Sequence, residues 1–255
     1  MSGIRLLMRN SDLVYEYDGS FMGLLSCVHA CIYDHKIPIS IYNGHSKQGF
    51  LLPSIYIQTD MQKANAVRKA IICRISARAL EMIEHVFYSC LEDKEITVLH
   101  FLISGFREGC IVTDLMADPI VSLMLDAERH LMREAHLLTG FVRFVDVDGK
   151  LIAVIDPKNQ VLPLILSHFA DRYEKESFLI FDRTHQTAVI HHEGSTRIGE
   201  LSSFMLPPIS AAEAYYQSLW KQFYHTIAIK ERDNPRCRMS HMPKRFWYNL
   251  TEMQT

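Results

Sequence analysis

Six polar residues that could do chemistry fall within one stretch of this sequence: Glu134, His136, Arg143, His168, Arg172 and Asp182. Glu134 or His168 could act as a general acid or base, while Arg143 and Arg172 could clamp a phosphate or carboxylate with their planar forks. Glu134 is the most informative of them. It falls in the apolar stripe of Ile120, Leu123, Met124, Ala127, Leu131 and Leu138, because a helical step of roughly 100° per residue returns to that side. Burying the carboxylate alone would cost several kcal/mol, so Arg143 or Arg172 is expected to neutralise it. The group then reads either as structural ion pairs locking a helix to a sheet or as a polar pocket. Six residues are more than pairing needs, although the helical angle of His136 points it away from Glu134.

The elements that must position these residues lie around them in sequence. Phe141 to Val147 and Lys150 to Ile155 read as strands joined at Asp148-Gly149, a dipeptide that supplies the positive backbone angles of a tight hairpin. Val161 to Tyr173 places Leu162, Ile165, Leu166, Phe169 and Tyr173 on one helical face, with His168 and Arg172 at its border. Phe178 to Phe181 and Thr187 to His191 make a second strand pair. This ββαββ unit, residues 140–192, predicts an α+β fold in which an antiparallel sheet carries a helix on one face.

Upstream, Leu13 to Tyr17, Phe21 to Tyr33 and Ile55 to Gln58 read as an N-terminal β-α-β piece, with a polar loop from Lys36 to Pro53. Residues 60–139 read as a helical region, opened by a capping-box pattern at Thr59 and Gln62 and closed by a helix running from Asp118-Pro119 to Gly140. Downstream, Gly194 to Ile209 reads as a loop. A second capping box at Ser210 and Glu213 starts a helix that lays Tyr216, Leu219, Trp220, Phe223 and Ile227 along one side as a mostly core stripe, and residues 210–255 form this helix and a basic aromatic tail. One α+β domain over residues 1–255 is expected.

Two further places could bind a ligand. Asp18-Gly19-Ser20, between a strand and a helix, could turn backbone N–H groups toward a phosphate, but a connecting turn with Ser20 as N-cap looks the same. In the tail, Lys244 and Arg245 adjoin Phe246, Trp247 and Tyr248. Cations that hold phosphates beside rings that stack on bases suit a single-strand binder, and an aromatic clamp packed back on the domain would have the same composition.

Composition sets the limits. With 48% hydrophobic residues in 255 and a net charge of -2, this is an ordinary globular chain without a uniformly basic surface. The charge is uneven: from Lys221 to Thr255 seven Lys or Arg stand against three Asp or Glu, a balance of +4 that leaves -6 for the rest. The six cysteines are scattered and fall mostly in apolar helical patterns, as expected of reduced, buried thiols in a cytoplasmic protein. Cys27 and Cys31 are spaced like the start of a radical SAM cluster motif, but its third position is Asp34, so no iron-sulfur cluster is expected; no paired Cys or His spacing appears, so no zinc site is expected, nor any other cofactor. The first residues carry Arg5 and Arg9 without a long apolar run, and no later stretch predicts a membrane span.

Several motifs carry a family likeness. Tyr17-Asp-Gly-Ser-Phe21, Glu134-x-His136-x-x-x-Gly140-Phe-x-Arg143-Phe144, His168-Phe-x-x-Arg172, Leu219-Trp220 and Met242-Pro-Lys-Arg-Phe-Trp247 resemble the bacterial "probable DNA metabolism protein" family, a domain of unknown function, nearly end to end. In that family the domain stands alone or precedes a uracil-DNA-glycosylase-like domain, and it is commonly encoded beside a DNA-modification or repair radical SAM protein. Arg238 stands where the family tends to have Gln, and Phe246 where it usually has Tyr. With the chain ending at Thr255, base excision by this chain itself is not expected. The resemblance implies an accessory protein of DNA repair or modification that binds DNA or a nucleotide, with a radical SAM partner and a uracil-DNA-glycosylase-like protein as associates. Two other readings remain open. One is an enzyme using Glu134 or His168 with Arg143 and Arg172 on a nucleotide or nucleobase; the other is a protein-protein scaffold.

Overall fold

The computed structural model describes residues 8–44 and 52–254. Arg5 and the middle of the predicted Lys36 to Pro53 loop lie outside them. The fold is α+β, and the chain divides into two compact units, Met1–Leu131 and Met132–Thr255.

The first unit is built on parallel strands. β1 (Arg9–Asn10) pairs with β3 (Lys36–Ile37), and β2 (Val14–Tyr17) lies between β4 (Ser40–Asn43) and β5 (Ser54–Tyr56). Helix α1 (Phe21–Asp34) makes the crossover, as a parallel pair requires. It is followed by α2 (Met61–Arg74), α3 (Ala77–Tyr88), α4 (Lys94–Glu108) and the start of α5 (Pro119–Phe141). Asp118 caps α5 through the N–H of Ile120 (2.8 Å), as its sequence predicts, whereas Gly140 lies inside the last turn instead of closing it. The cap of α2 is Asp60 in place of Thr59, whose hydroxyl instead donates to Asp18 (2.7 Å). Helix α4 and the 3-10 turn after it, Lys94–Asp114, have the length and mean hydropathy of a membrane span. Val98, Leu99, Phe101 and Leu102 nonetheless point into the core, as in a core helix. Cys27 and Cys31 are buried there, and burial pushes the Cys27 thiol up to about 12; Cys73, Cys90, Cys110 and Cys237 are exposed, against the expectation of mostly buried thiols.

Glu128 on α5 ties this unit to α3. Its carboxylate accepts from Arg78 Nη1 (2.7 Å) and meets His85 Nδ1 (2.6 Å), and Arg78 Nη2 adds a second charged bond. Burial raises its pKa, but the bonds from His85 and Arg78 outweigh that and hold it at about 2, below its ordinary 4.5. A carboxyl depressed by folding contributes stability fully above its unfolded pKa and loses it as pH falls through the folded one. Wild-type stability is therefore expected to fall by about 2 kcal/mol between pH 4.5 and 2 through this residue. Glu128→Gln should lack that component in urea melts across this range; parallel pH profiles for the two proteins would rule it out.

The second unit holds a five-stranded sheet in the order β10-β9-β8-β7-β6. β6 (Val145–Val147) and β7 (Lys150–Ile155) turn at Asp148 and Gly149, whose φ values of 52° and 75° match the predicted hairpin. After α6 (Leu162–Arg172), β8 (Phe178–Asp182) pairs with β7 in parallel, Leu151 opposite Phe178. The sheet is thus mixed where an antiparallel one was expected, because the helix between two neighbouring strands returns the chain to its starting edge. β9 (Thr187–His192) is antiparallel to β8 as predicted, and a Glu193-Gly194 turn adds β10 (Ser195–Glu200) where a loop was expected. Leu162, Ile165 and Phe169 of α6 are buried, and Phe144 meets Phe169, Tyr173 and Phe178 edge-on with centroids 5.1–5.9 Å apart. α7 (Ala211–Thr226) and α8 (Pro235–His241) follow, then two 3-10 segments, Lys244–Asn249 and Thr251–Met253, that fold back so that Phe246 and Leu250 are buried.

Candidate functional site

Glu134 is 2% exposed, as its place in the apolar stripe requires, but its partner is Arg245 (3.0 Å) and not Arg143 or Arg172. The N–H groups of Lys158 (3.0 Å) and Asn159 (2.8 Å) and the Asn159 amide (2.5 Å) complete a set of four donors. This set ties α5, the turn after β7 and the C-terminal segment together within the second unit. Both oxygens are engaged by the protein itself, which suits a structural anchor better than an acid or base.

Arg143 belongs to a second ion pair. It donates to Glu252 through Nη2 (2.7 Å) and Nε (3.3 Å), and to the Gly140 carbonyl through Nη1 (2.8 Å). Trp220 Nε1 donates to the same carboxylate (3.0 Å). Burial acts to raise the pKa of Glu252, and the bonds from Arg143 and Trp220 reverse this and hold it below the usual carboxylate range. Arg143 is thereby largely committed to its own fold.

Beside this pair opens a cleft of about 510 Å³. Phe144, Tyr173, Tyr216 and Trp220 supply its aromatic walls, and Arg172, Glu213 and Gln217 its polar groups. Gln217 donates to Glu213 (2.8 Å), whose other oxygen accepts weakly from the Asp146 N–H (3.3 Å). Arg172 is exposed, lies over the Tyr173 ring (5.8 Å from its centroid) and has no carboxylate partner among the described residues. A cavity of this size, with aromatic rings on its walls set among several polar side chains, has room for a nucleoside-sized ligand.

The predicted six-residue cluster therefore divides. Of its members, Arg143 and Arg172 line the cleft; Glu134 is the anchor on Arg245, and His136 and His168 are exposed away from the cleft lining. Asp182, the last residue of β8, is fully buried and closes the β8–β9 turn, accepting from the N–H groups of Thr184 and His185 and from His185 Nδ1 (2.6 Å). Asp18 accepts from the N–H and hydroxyl of Ser20, and Ser20 caps α1 by accepting from the Gly23 N–H, the geometry of a capped connecting turn. In the tail, Arg245 is held by Glu134 and Trp247 Nε1 donates to the Met242 carbonyl (2.9 Å), whereas Lys244 is exposed 5.9 Å from the Trp247 ring. The tail is thus a clamp packed back on its unit, and only part of it could meet a strand. Glu252, Glu213 and Gln217 carried no sequence signal for a cleft; Glu213 was visible only as a capping residue.

A family model described as a domain of unknown function, DUF4130, matches residues 92–252, well over half of the chain. The chain belongs to this family. The matched span holds every residue that lines the cleft, and it ends on Glu252, the partner of Arg143 and Trp220. No curated protein and no solved structure matches the chain.

Proposed function

We propose that this protein is an accessory protein of DNA repair or modification that binds an unpaired nucleobase of DNA, or a nucleotide, and works with a radical SAM partner. The observation that carries the binding part is the cleft: flat rings on its walls, the exposed cation Arg172 at its side, and Glu213 and Gln217 able to meet the polar edge of a base. The DNA context and the partner rest on the family likeness of the motifs around Glu134, Arg143, His168 and Trp247. A cytoplasmic location goes with that reading.

Charge at the cleft is balanced, Arg143 by its partner Glu252 beside the cleft and Arg172 by Glu213 within it, so stacking should supply more of the affinity than phosphate contacts. Fluorescence anisotropy with a single-stranded oligonucleotide tests this. Arg172→Ala is expected to weaken binding and to reduce the slope of log K against log salt by roughly one, leaving the fold intact because its side chain is exposed and holds no carboxylate among the described residues. An unchanged slope and affinity would remove the cleft from the account. Co-purification with the radical SAM protein tests the partnership separately. The alternative with Glu134 and His168 as acid and base gains no support, since neither lines the cleft.

A further inference from the structure

The cleft continues beyond the space one base needs. At Arg143, Gln217 and Thr251 it joins a narrow depression of about 230 Å³ floored by Ile152 and Val154, the side chains of β7 that alternate with buried Ala153 and Ile155. At Val154, Leu206 and Asn249 that depression joins a third, of about 760 Å³, where Arg183, Phe204, Trp247 and Tyr248 meet. The far end repeats the chemistry of the near one. The Arg183 guanidinium lies 5.5 Å from the centroid of the Tyr248 ring, which is 70% exposed. Its ion pair with Asp156 is long, at 3.5 Å, and leaves half of the Arg183 side chain open. Among the described residues that line the middle depression the cation is Arg143, which Glu252 matches.

Resting on the cleft reading, we infer that this track binds a single strand of nucleic acid, with one base in the cleft and another stacked on the exposed Tyr248 ring with the Arg183 guanidinium beside it. Two ring-and-cation platforms joined by an apolar floor match the alternation of base, sugar and phosphate along one strand. A duplex hides the base faces that both platforms need. The ligand class is thus a polynucleotide, and the mononucleotide is only its end group.

The experiment measures binding of thymidine monophosphate and of oligothymidylates up to about 12 nucleotides to the full chain, with oligouridylate and a duplex as further arms. Wild-type affinity is expected to rise with length. Tyr248→Ala should weaken the long oligomers by roughly five- to hundredfold, as loss of one stacked base does, and leave the monophosphate unchanged. Because Tyr248 is exposed, the variant should fold. Equal losses on monophosphate and oligomer, no loss on either, or duplex binding as tight as single-strand binding would overturn the track. If the wild-type protein binds neither monophosphate nor oligomer, the cleft reading itself falls. Equal binding of the two sugars supports recognition through bases and phosphates, and a preference for oligothymidylate narrows the ligand to DNA.

Discussion

Glu134→Ala is expected to lower the stability of the second unit by about 3 kcal/mol or more, among the largest effects of any single change there. The substitution strands Arg245 and three N–H donors, from Lys158, Asn159 and the Asn159 amide, around an apolar methyl. Arg245 is about one-third exposed and can recover water, which keeps the cost toward the lower end of the range for a broken buried pair. The converse change, Arg245→Ala, should cost less, about 1.5 kcal/mol, because the carboxylate keeps its other three donors. Glu134→Gln should resemble the alanine variant, since an amide NH₂ would face donors where an acceptor is required. Both tryptophans of the chain, Trp220 and Trp247, lie in this unit, so their fluorescence during urea unfolding reports on it specifically. If Arg245→Ala proved the more damaging of the two, the carboxylate would not be the centre of the network.

Arg143→Ala is the second large effect, at about 3 kcal/mol, because it leaves the Glu252 carboxylate, whose side chain is 4% exposed, with Trp220 as its remaining side-chain donor. Glu252→Ala should be milder, since Arg143 is 27% exposed and keeps its carbonyl partners. Replacing the pair by Met and Leu is expected to cost much less than the sum of the two single changes, since neither charge is then left buried alone. The pH dependence has a fixed sign. Glu252 is held below its ordinary pKa of 4.5, so its contribution is present above that value and is lost as pH falls through the lowered one. Additive costs in the double variant would show that the two residues act independently.

Local chemistry made much of the second unit legible. Asp148-Gly149, the apolar face of α6 and the Ser210 cap each act over a few residues, and each is where the sequence puts it. The burial of Glu134 followed from helical periodicity alone. Its partner did not, because Arg143, Arg172 and Arg245 are equally charged and the choice depends on how a tail more than a hundred residues away folds back. Arg245 was read as a phosphate contact for the same reason. β10 escaped notice because Ser195–Glu200 has one large apolar residue, Ile198, and an edge strand with polar faces leaves no alternating pattern. Of the cleft only Arg143 and Arg172 were legible, as members of a polar pocket: its walls come from α6, α7 and the strand entry at Phe144, and only the packing of these elements brings Tyr173, Tyr216 and Trp220 together.

Helix α7 has no buried residue along its 16 positions, so its apolar stripe is not the core face its sequence suggests, although Tyr216, Gln217 and Trp220 face the cleft. Segments with so little burial open at low free energy, so the amides of α7 should take up deuterium well before those of β7 and β8. Whatever fills the cleft must press against this same helix and slow that uptake. Deuterium labelling of α7 across a panel of oligonucleotides and nucleotides would therefore rank ligands by how firmly they hold the helix down, without an activity to follow.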